Sequence, residues 1–599
     1  MPLHVSIPKL PPSFYLPTST PRFLADLLLS LSATSSAAAA AKGSQLHGHL
    51  LKSGLIPSIS LLSNHLITFY ARCHLPHLSR LAFLDSPSKT SAVWASLIAA
   101  LAQNGLSADA LLAFRSMLSH SIPVCDRTLP SATKSCAALS LPGLARSLHS
   151  LALRSPFSSD VFVASSIIDM YSKCSLLTDA RAVFDEMPHR NVVSWSSLIY
   201  GHALAGLNLD ALHLFKLALA DNLINDFTYS TIIRVCSAAP LLDLGTQIHA
   251  HCSKSIFMSS PFVGSSLISL YSKSGLVDDA YKLFDEMPEK NLGAWNAVLI
   301  ASAQHGHIRT AFDRFTGMER AGHTPNFITF LCLLTACSHA GLVDDGKRYF
   351  NLMISRGIEP EEQHYACMVD LFSRVGRLKE AMDFIKTMPL APTESVWGAL
   401  LTGCRIHKDT DTAAFAAGKL FETCSSAGGS GAHMLLANAY AAAGRYTDAA
   451  RARKEMRDRG IKKETGLSWV EHEGKVHTFV SDDTCHYMIK EIHEVVNKLG
   501  ERMEKEGYVV DTSCVLRDVD GEEKRRAVWY HSERLAIGFG LLSVGVGRPI
   551  RVMKNLRVCG DCHTAIKFVS KVTERVVILR DNNRFHRFED GVCSCGDYW

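Results

Sequence analysis

No stretch of this chain reaches the ~18 consecutive apolar residues that an α-helical membrane span needs. The nearest, "LLLSLSATSSAAAAA", is broken by serine and threonine, and no membrane partner is expected. Net charge is also scarce, because 62 Lys and Arg against 57 Asp and Glu leave +5. A whole-chain basic field is thereby excluded, although a basic stripe on one face remains compatible with a polyanionic partner. Acidic residues are absent before Asp26, where Lys9, Arg22 and many Ser, Thr and Pro stand instead. That composition marks residues 1–23 as an organelle transit peptide, mitochondrial with the chloroplast as the alternative. The compact apolar core of a secretory signal is missing too, so the 17 cysteines are not read as a disulfide framework. Four of them, Cys559, Cys562, Cys593 and Cys595, fall in close pairs within the last 41 residues, as metal ligands do.

What is present in quantity is repetition. A chain of 599 residues is too long for one ordinary core and must be several domains or an array that grows lengthwise. "VFVASSIIDMYSKCSLLTDARAVFDEMPHRN" (161–191) and "PFVGSSLISLYSKSGLVDDAYKLFDEMPEKN" (261–291) agree at 17 of 31 positions at an offset of 100. Further units begin after Asn191 and Asn291, so the period is about 31 to 36 residues. Within a unit the apolar positions fall at helical spacing twice, at Val163, Ile167, Met170 and Tyr171, then at Ala180, Val183, Phe184 and Met187. Pro188 and Pro288 follow the second helix, which they cannot continue. Such hairpins cannot bury their apolar faces alone, so an α-solenoid of stacked helical hairpins is expected from about residue 24 to 460.

These units resemble pentatricopeptide repeats of the plant PLS class, which alternates three lengths. Short units lie at 60–90, 161–191 and 261–291, standard ones at 91–125, 192–225 and 292–326, and long ones at 126–160, 226–260 and 327–361. A degenerate unit near 24–59 and a final short one at 362–393 complete an array over 24–393, and 394–463 resembles the two extension motifs that follow such arrays. The resemblance implies binding of single-stranded organelle RNA, one base per repeat, through the fifth and last residues of a unit. Those residues are Ser165 with Asn191, Ser265 with Asn291, and Asn296 with Asn326, with Ser196 and Asn225 as a further pair in a unit one residue short. The family's code gives adenine for a hydroxyl with Asn and a pyrimidine for Asn with Asn. A scaffold for proteins is the competing use of such a solenoid.

From residue 464 the pattern changes to short β-rich runs, "KVHTFV", "PIRVMKNLRV" and "RVVILRD", with helical stretches "YHSERLAIGFGLL" and "CGDCHTAIKFVSKV" between them. Strands alternating with helices predict a smaller α/β domain over 464–599. Its first notable motif is His531-Ser532-Glu533, which by itself is mostly a solvated pair on a helix. Its second, Cys559-Gly560-Asp561-Cys562, begins 28 residues after His531. A zinc-dependent deaminase uses this order: one His and two Cys hold the ion, the fourth position takes water, and a Glu that is not a ligand moves the proton. Val558 stands where the commoner pattern has Pro, which touches no ligand.

"HSERLA", "IRVMKNLRVCGDCHTAIKFVS", "RFHRF" and the terminal "CSCGDYW" make this segment resemble the plant DYW domain, associated with cytidine-to-uridine editing of organelle transcripts. Thr465-Gly466 replaces the Pro-Gly usual in that family. The resemblance implies hydrolytic deamination with Glu533 as catalytic residue and His531, Cys559 and Cys562 on a catalytic zinc. A second, structural zinc is expected on His563, His586, Cys593 and Cys595, whose four ligands would close the shell. The resemblance also implies multiple organellar RNA editing factor proteins as partners. The competing expectations are a non-catalytic RNA-binding protein that stabilises, processes or recruits, and RNA cleavage, for which no matching acid and base are found.

Overall fold

A computed structural model describes residues 21–598 except 33–36, 57–59, 240, 424–428, 463, 513–514 and 516–519. Most of the expected transit peptide, and Trp599 of the terminal motif, lie outside the described residues. The chain divides into two compact units, Met1–Ile232 and Ile233–Trp599.

The first unit holds helices in pairs: α1 (Pro21–Ser32) and α2 (Ala37–Lys52), α3 (Ser60–Arg72) and α4 (Pro76–Leu84), α5 (Ser91–Gln103) and α6 (Ser107–Ser119), α7 (Thr128–Ala138) and α8 (Pro142–Leu153), α9 (Val161–Lys173) and α10 (Leu177–Glu186), α11 (Val192–Leu204) and α12 (Asn208–Ala220). Each pair occupies one repeat read from the sequence, and the first helix of a pair packs on the first helix of the next. Helix α13 (Asp226–Ala238) spans the division.

In the second unit the pairs continue: α14 (Leu242–Ser253) completes α13, then come α15 (Pro261–Lys273) and α16 (Val277–Glu286), α17 (Leu292–Gln304) and α18 (Ile308–Arg320), α19 (Phe327–Ala340) and α20 (Val343–Ser355), α21 (Glu362–Arg374) and α22 (Leu378–Lys386). The extension region adds α23 (Glu394–His407), α24 (Thr410–Thr423), α25 (Gly429–Ala442) and α26 (Tyr446–Asp458). Among the described residues no helix is long and apolar enough to cross a membrane.

The repeats conserve contacts as well as letters. Phe83, Phe184 and Phe284, each near the end of a short unit, meet Trp94, Trp195 and Trp295 of the next unit edge-on, at 4.6, 4.6 and 4.7 Å between centroids. Such pairs add about 0.5–1.5 kcal/mol beyond the area they bury. A cation covers the same phenylalanine each time: Lys89, Arg190 and Lys290. A second recurring contact joins a histidine to a tyrosine hydroxyl, His149 with Tyr171 at 3.0 Å and His249 with Tyr271 at 2.6 Å. The turn between paired helices needs positive φ, supplied by Gly275 and Gly306; Ser175 takes the same conformation at φ 60° in the copy that has no glycine there.

After α26 the second unit forms a six-stranded sheet from β1 (Leu467–His472), β2 (Lys475–Val480), β3 (Ile550–Lys554), β4 (Val577–Arg580), β5 (Phe585–Glu589) and β6 (Val592–Cys593), in the order β2-β1-β3-β4-β5-β6. Only β3 and β4 run parallel, joined across α30 (Gly560–Thr573) as a parallel crossover requires. Helices α27 (Ile489–Lys505), α28 (Gly521–Trp529) and α29 (Ser532–Ser543) complete the domain. The core joins Leu535, Ile537 and Phe539 of α29 and Ile566 and Val569 of α30 to Ile550, Val552, Val577 and Leu579 of the strands. The alternate residues Met553, Ile578 and Phe585, with Trp469, form a second apolar layer on the opposite face. The run "PIRVMKNLRV" is strand only as far as Lys554; 555–558 is a loop that delivers Cys559 to the start of α30.

Candidate functional site

Helices α29 and α30 both begin at one end of the sheet, and their first residues meet. His531 is the N-cap of α29 and Glu533 lies in its first turn; Cys559 is the N-cap of α30, its sulfur accepting from the Cys562 amide at 3.3 Å. Both thiols therefore lie where the positive end of a helix favours a thiolate. His531 Nδ1 lies 3.5 Å from Cys559 Sγ and 3.4 Å from Cys562 Sγ, and a Glu533 oxygen joins them within 4.8 Å. Glu533 is 2% exposed, which removes the reading of a solvated helix pair.

A second cluster sits beside the first. His563 Nε2 is 3.2 Å from Cys595 Sγ, His586 Nδ1 is 3.6 Å from Cys593 Sγ, and all four side chains are buried. Tetrahedral zinc, with Zn–S of about 2.3 Å and Zn–N of about 2.0 Å, requires sulfur and nitrogen ligands about 3.5 Å apart. The four nitrogen–sulfur distances, 3.5 and 3.4 Å in the first cluster and 3.2 and 3.6 Å in the second, meet that requirement within a few tenths of an ångström. The first offers three N/S donors and a carboxylate; the second offers four buried N/S donors. Neighbouring carboxylates stand behind its imidazoles, as they do behind metal-bound histidines: Asp581 Oδ2 is 3.6 Å from His586 Nε2, and Asp597 Oδ1 is 3.8 Å from His563 Nδ1. Asp597, the first residue of the terminal motif, is also anchored by Lys567 at 2.8 Å.

The donor groups of each cluster shift one another's protonation. Burial disfavours the His531 imidazolium, but the hydrogen bond to Cys559 together with the charges of Cys559 and Glu533 outweighs it and moves the pKa up. Cys562 is pushed well up by its hydrogen bond with Cys559 and by burial. In the other cluster the shared hydrogen bond raises Cys593 and lowers Cys595, which His563 and His586 also support as the thiolate. Burial works to raise Asp581, yet His586 and two backbone amides hold it at about 2. Binding a cation here would displace protons from the ligands.

Three features around these clusters escape a reading of the sequence. Lys554 Nζ lies 2.9 Å from Glu533 Oε1, while Ser532 Oγ donates to Glu533 Oε2 at 3.1 Å and meets Ser468 Oγ at 2.9 Å. Lys554 is 21 residues from Glu533 and becomes its neighbour only because β3 ends there, paired with Ser468 of β1. The second feature is Asp561, between the two cysteines: buried, it accepts from Tyr508 Oη at 2.6 Å and the Asp511 amide at 2.8 Å, and pairs with the buried Arg534. Burial opposes the Arg534 charge, but Cys562, Tyr508 and Asp561 overcome it and raise its pKa. An acid inside Cys-x-x-Cys and a base inside "HSERLA" were signals available in the letters. The third is Asp581, whose position behind His586 depends on sheet register and left no local signal.

The residues expected to read RNA also have places. Asn191, Asn291 and Asn326 are the N-caps of α11, α17 and α19, and their Oδ1 atoms accept from Ser194, Ala294 and Thr329 amides at 2.8, 2.8 and 3.1 Å. Asn225 Oδ1 accepts from the Thr228 amide at 2.9 Å in the same way. The fifth residues pack against these caps: Ser165 Oγ is 3.2 Å from Asn191 Oδ1, Ser196 Oγ 3.4 Å from Asn225 Oδ1, and Asn296 Nδ2 3.2 Å from Asn326 Oδ1. Ser265 is the exception, donating instead to the Phe262 carbonyl at 3.0 Å. Each pair therefore sits at the N-terminal ends of first helices, with the last-position oxygen committed to the cap.

Comparison with known proteins agrees with this arrangement. Residues 507–599 match the DYW family of nucleic acid deaminases, 407–471 match the E motif, and six segments between 92 and 390 match the pentatricopeptide repeat. A pentatricopeptide repeat-containing protein of Arabidopsis thaliana is 55% identical over 98% of this chain and 99% of its own length. Two others from that plant, one named mitochondrial and one chloroplastic, are 37% and 36% identical over 93% of this chain and 89% and 64% of theirs. The chain belongs to the pentatricopeptide repeat family, in the PLS class that carries the E motif and a C-terminal DYW domain.

Proposed function

We propose that this protein edits organelle RNA: the repeats hold a single-stranded segment, and the C-terminal domain converts one cytidine 3′ of it to uridine. The observation that carries the reading is the buried Glu533 within 4.8 Å of a His531, Cys559 and Cys562 set whose spacing suits zinc. When bound there, zinc would bring the pKa of a coordinated water to about 7, and at the second cluster a further ion would stiffen the fold. Glu533 takes the proton of the attacking water and delivers it to N3 of cytosine as C4 is attacked. It then helps protonate the leaving amine, so that cytidine and water become uridine and ammonia. Lys554 and Ser532 fix the orientation of its carboxylate, and Arg534 with Asp561 fixes the start of the helix that carries both cysteines.

Division of labour supports the assignment. A pocket for one base sees little context, so selectivity has to come from repeats that each add a base. Ser165 with Asn191 and Ser265 with Asn291 specify adenines and Asn296 with Asn326 a pyrimidine, with the two units between the adenines left open, the first of them carrying Ser196 and Asn225. An organelle, mitochondrion or chloroplast, as the site of this work is supported by relatives named mitochondrial and chloroplastic, and helper editing factors would bind the array there. The test is incubation of the zinc-loaded protein and of Glu533→Gln with RNA carrying the A-x-x-A-pyrimidine segment followed by cytidines, scored by sequencing. Uridine from the parent alone supports the reading; tight binding with no uridine, helper included, would leave a recognition module.

A further inference from the structure

The sheet of the C-terminal domain has helices on one face only; its other face lies on the repeats of the same compact unit. Ile578 of β4 approaches the turn at Gly275, where a Cβ would come within 2.9 Å of its Cγ2. Phe585 of β5 stacks on His305 at 4.1 Å, with the rings 10° from parallel. Arg584 Nη1 donates to the His339 carbonyl at 3.2 Å and to the Tyr598 carbonyl at 3.0 Å, and Tyr598 covers the turn at Gly341. At the other end of the sheet Glu471 accepts from the Leu242 and Asp243 amides at 2.6 and 3.1 Å, capping α14 from outside its own repeat. Asp243 returns the contact by accepting from the Gly474 amide at 3.0 Å.

The footprint has a specific relation to the RNA-reading edge. Gly275, Gly306 and Gly341 follow the C-terminal ends of α15, α17 and α19, whereas the base-reading residues stand at the N-terminal ends of such helices. One helix of 13 or 14 residues, about 20 Å long, therefore connects each docked turn rigidly to one reading position. Between the two ends of the seam lies a cavity of 330 Å³ edged by Lys273, Glu471, Arg551 and Arg580. A seam that mixes the apolar Ile578 and Phe585 with the polar contacts of Glu471 and Arg584 has the character of a contact between domains.

Resting on the editing function proposed above, we infer that this seam is a register device: by docking on the turns of three successive repeats, it fixes the offset between the bases read and the base admitted to the pocket. Glu471, Arg584, Phe585 and Tyr598 are its positioning residues on the catalytic side, and Asp243, His305 and the His339 carbonyl receive them. None of them belongs to the cluster of His531, Glu533, Cys559 and Cys562.

The test uses the full chain with zinc and RNAs carrying 4-thiouridine at successive positions 3′ of the bound segment. Photo-cross-links to residues 464–599 are mapped for the parent and for His305→Ala with Glu471→Ala. Amide exchange at 274–276 and 339–342 reads docking without RNA, and metal content with a melting curve verifies folding. The parent is expected to cross-link from one or two positions. The double variant should exchange at least about tenfold faster at those turns and spread its cross-links, with RNA affinity kept within about threefold. Unchanged exchange, cross-links that stay in place after undocking, or a parent whose cross-links are already spread would each overturn the inference. Neither readout needs uridine to form, so a chain that docks in register but does not deaminate refutes the deaminase reading alone.

Discussion

The Lys554 ammonium lies 2.9 Å from the Glu533 carboxylate, and the two side chains are 8% and 2% exposed. Removing one member of so buried a pair leaves the other without compensation, typically at a cost of about 3–5 kcal/mol. Lys554→Met should therefore lower the denaturation midpoint of the chain and depress conversion at least about a hundredfold. Lys554→Met combined with Glu533→Gln should be more stable than Lys554→Met alone, a non-additivity that chemical denaturation of the four proteins measures.

The two metal clusters should separate by function. Elemental analysis should find two zinc ions per parent chain and one in either Cys562→Ala or Cys595→Ala. Cys595→Ala, which opens the closed four-ligand cluster, should lose more thermal stability. Cys562→Ala should keep most of its stability and lose conversion. Equal melting temperatures for the two variants would contradict the division.

The last-position asparagines cap helices, so their substitution has two separable effects. Asn191→Ala should cost about 1 kcal/mol through the lost bond to the Ser194 amide. Asn191→Asp should keep the cap, because a carboxylate accepts from the same amide, yet lose the carboxamide's donor and with it the preference for adenine at that position. Melting curves paired with RNA competition distinguish the two.

Acid should loosen the seam. Burial takes the pKa of His305 from 6.5 down to about 4, with His307 and Arg580 adding to the fall and Ser272 and Asp278 opposing it. His339 is lowered to about 4 by burial, Arg584 and Arg374, against Ala303 and Asp370. A histidine whose folded pKa is depressed contributes stability above its unfolded pKa and loses it as pH falls from 6.5 toward 4. For His305 the loss by pH 5 is about 2 kcal/mol. The parent should accordingly lose more melting temperature between pH 7 and pH 5 than His305→Gln does.

The helical array was legible because its signal is written many times. The spacing of Val163, Ile167 and Met170 recurs at Val263, Leu267 and Leu270, and a turn residue recurs between. The two candidate metal clusters were legible because Cys-x-x-Cys and Cys-x-Cys hold their pairs locally. What stayed hidden depends on strands coming together: Lys554 reaches Glu533 through the pairing of β1 with β3, and Asp581 reaches His586 through the turn between β4 and β5. The runs "PIRVMKNLRV" and "RVVILRD" also kept a secret of their own. They lack clean alternation because both sheet faces are covered, one by α29 and α30 and the other by the repeats, and nothing in the letters says what the second cover is.

The recurring Phe–Trp and His–Tyr contacts make each repeat an interchangeable link, yet the links are not equivalent in evolutionary freedom. Those from α13 to α20 carry the C-terminal domain at the α14 start and on the turns at Gly275, Gly306 and Gly341, so inserting or deleting a triplet there would move its seat. Triplets added ahead of that stretch would extend the address without disturbing the seat. Lineages diversifying this architecture should therefore lengthen and trim it from the amino-terminal side.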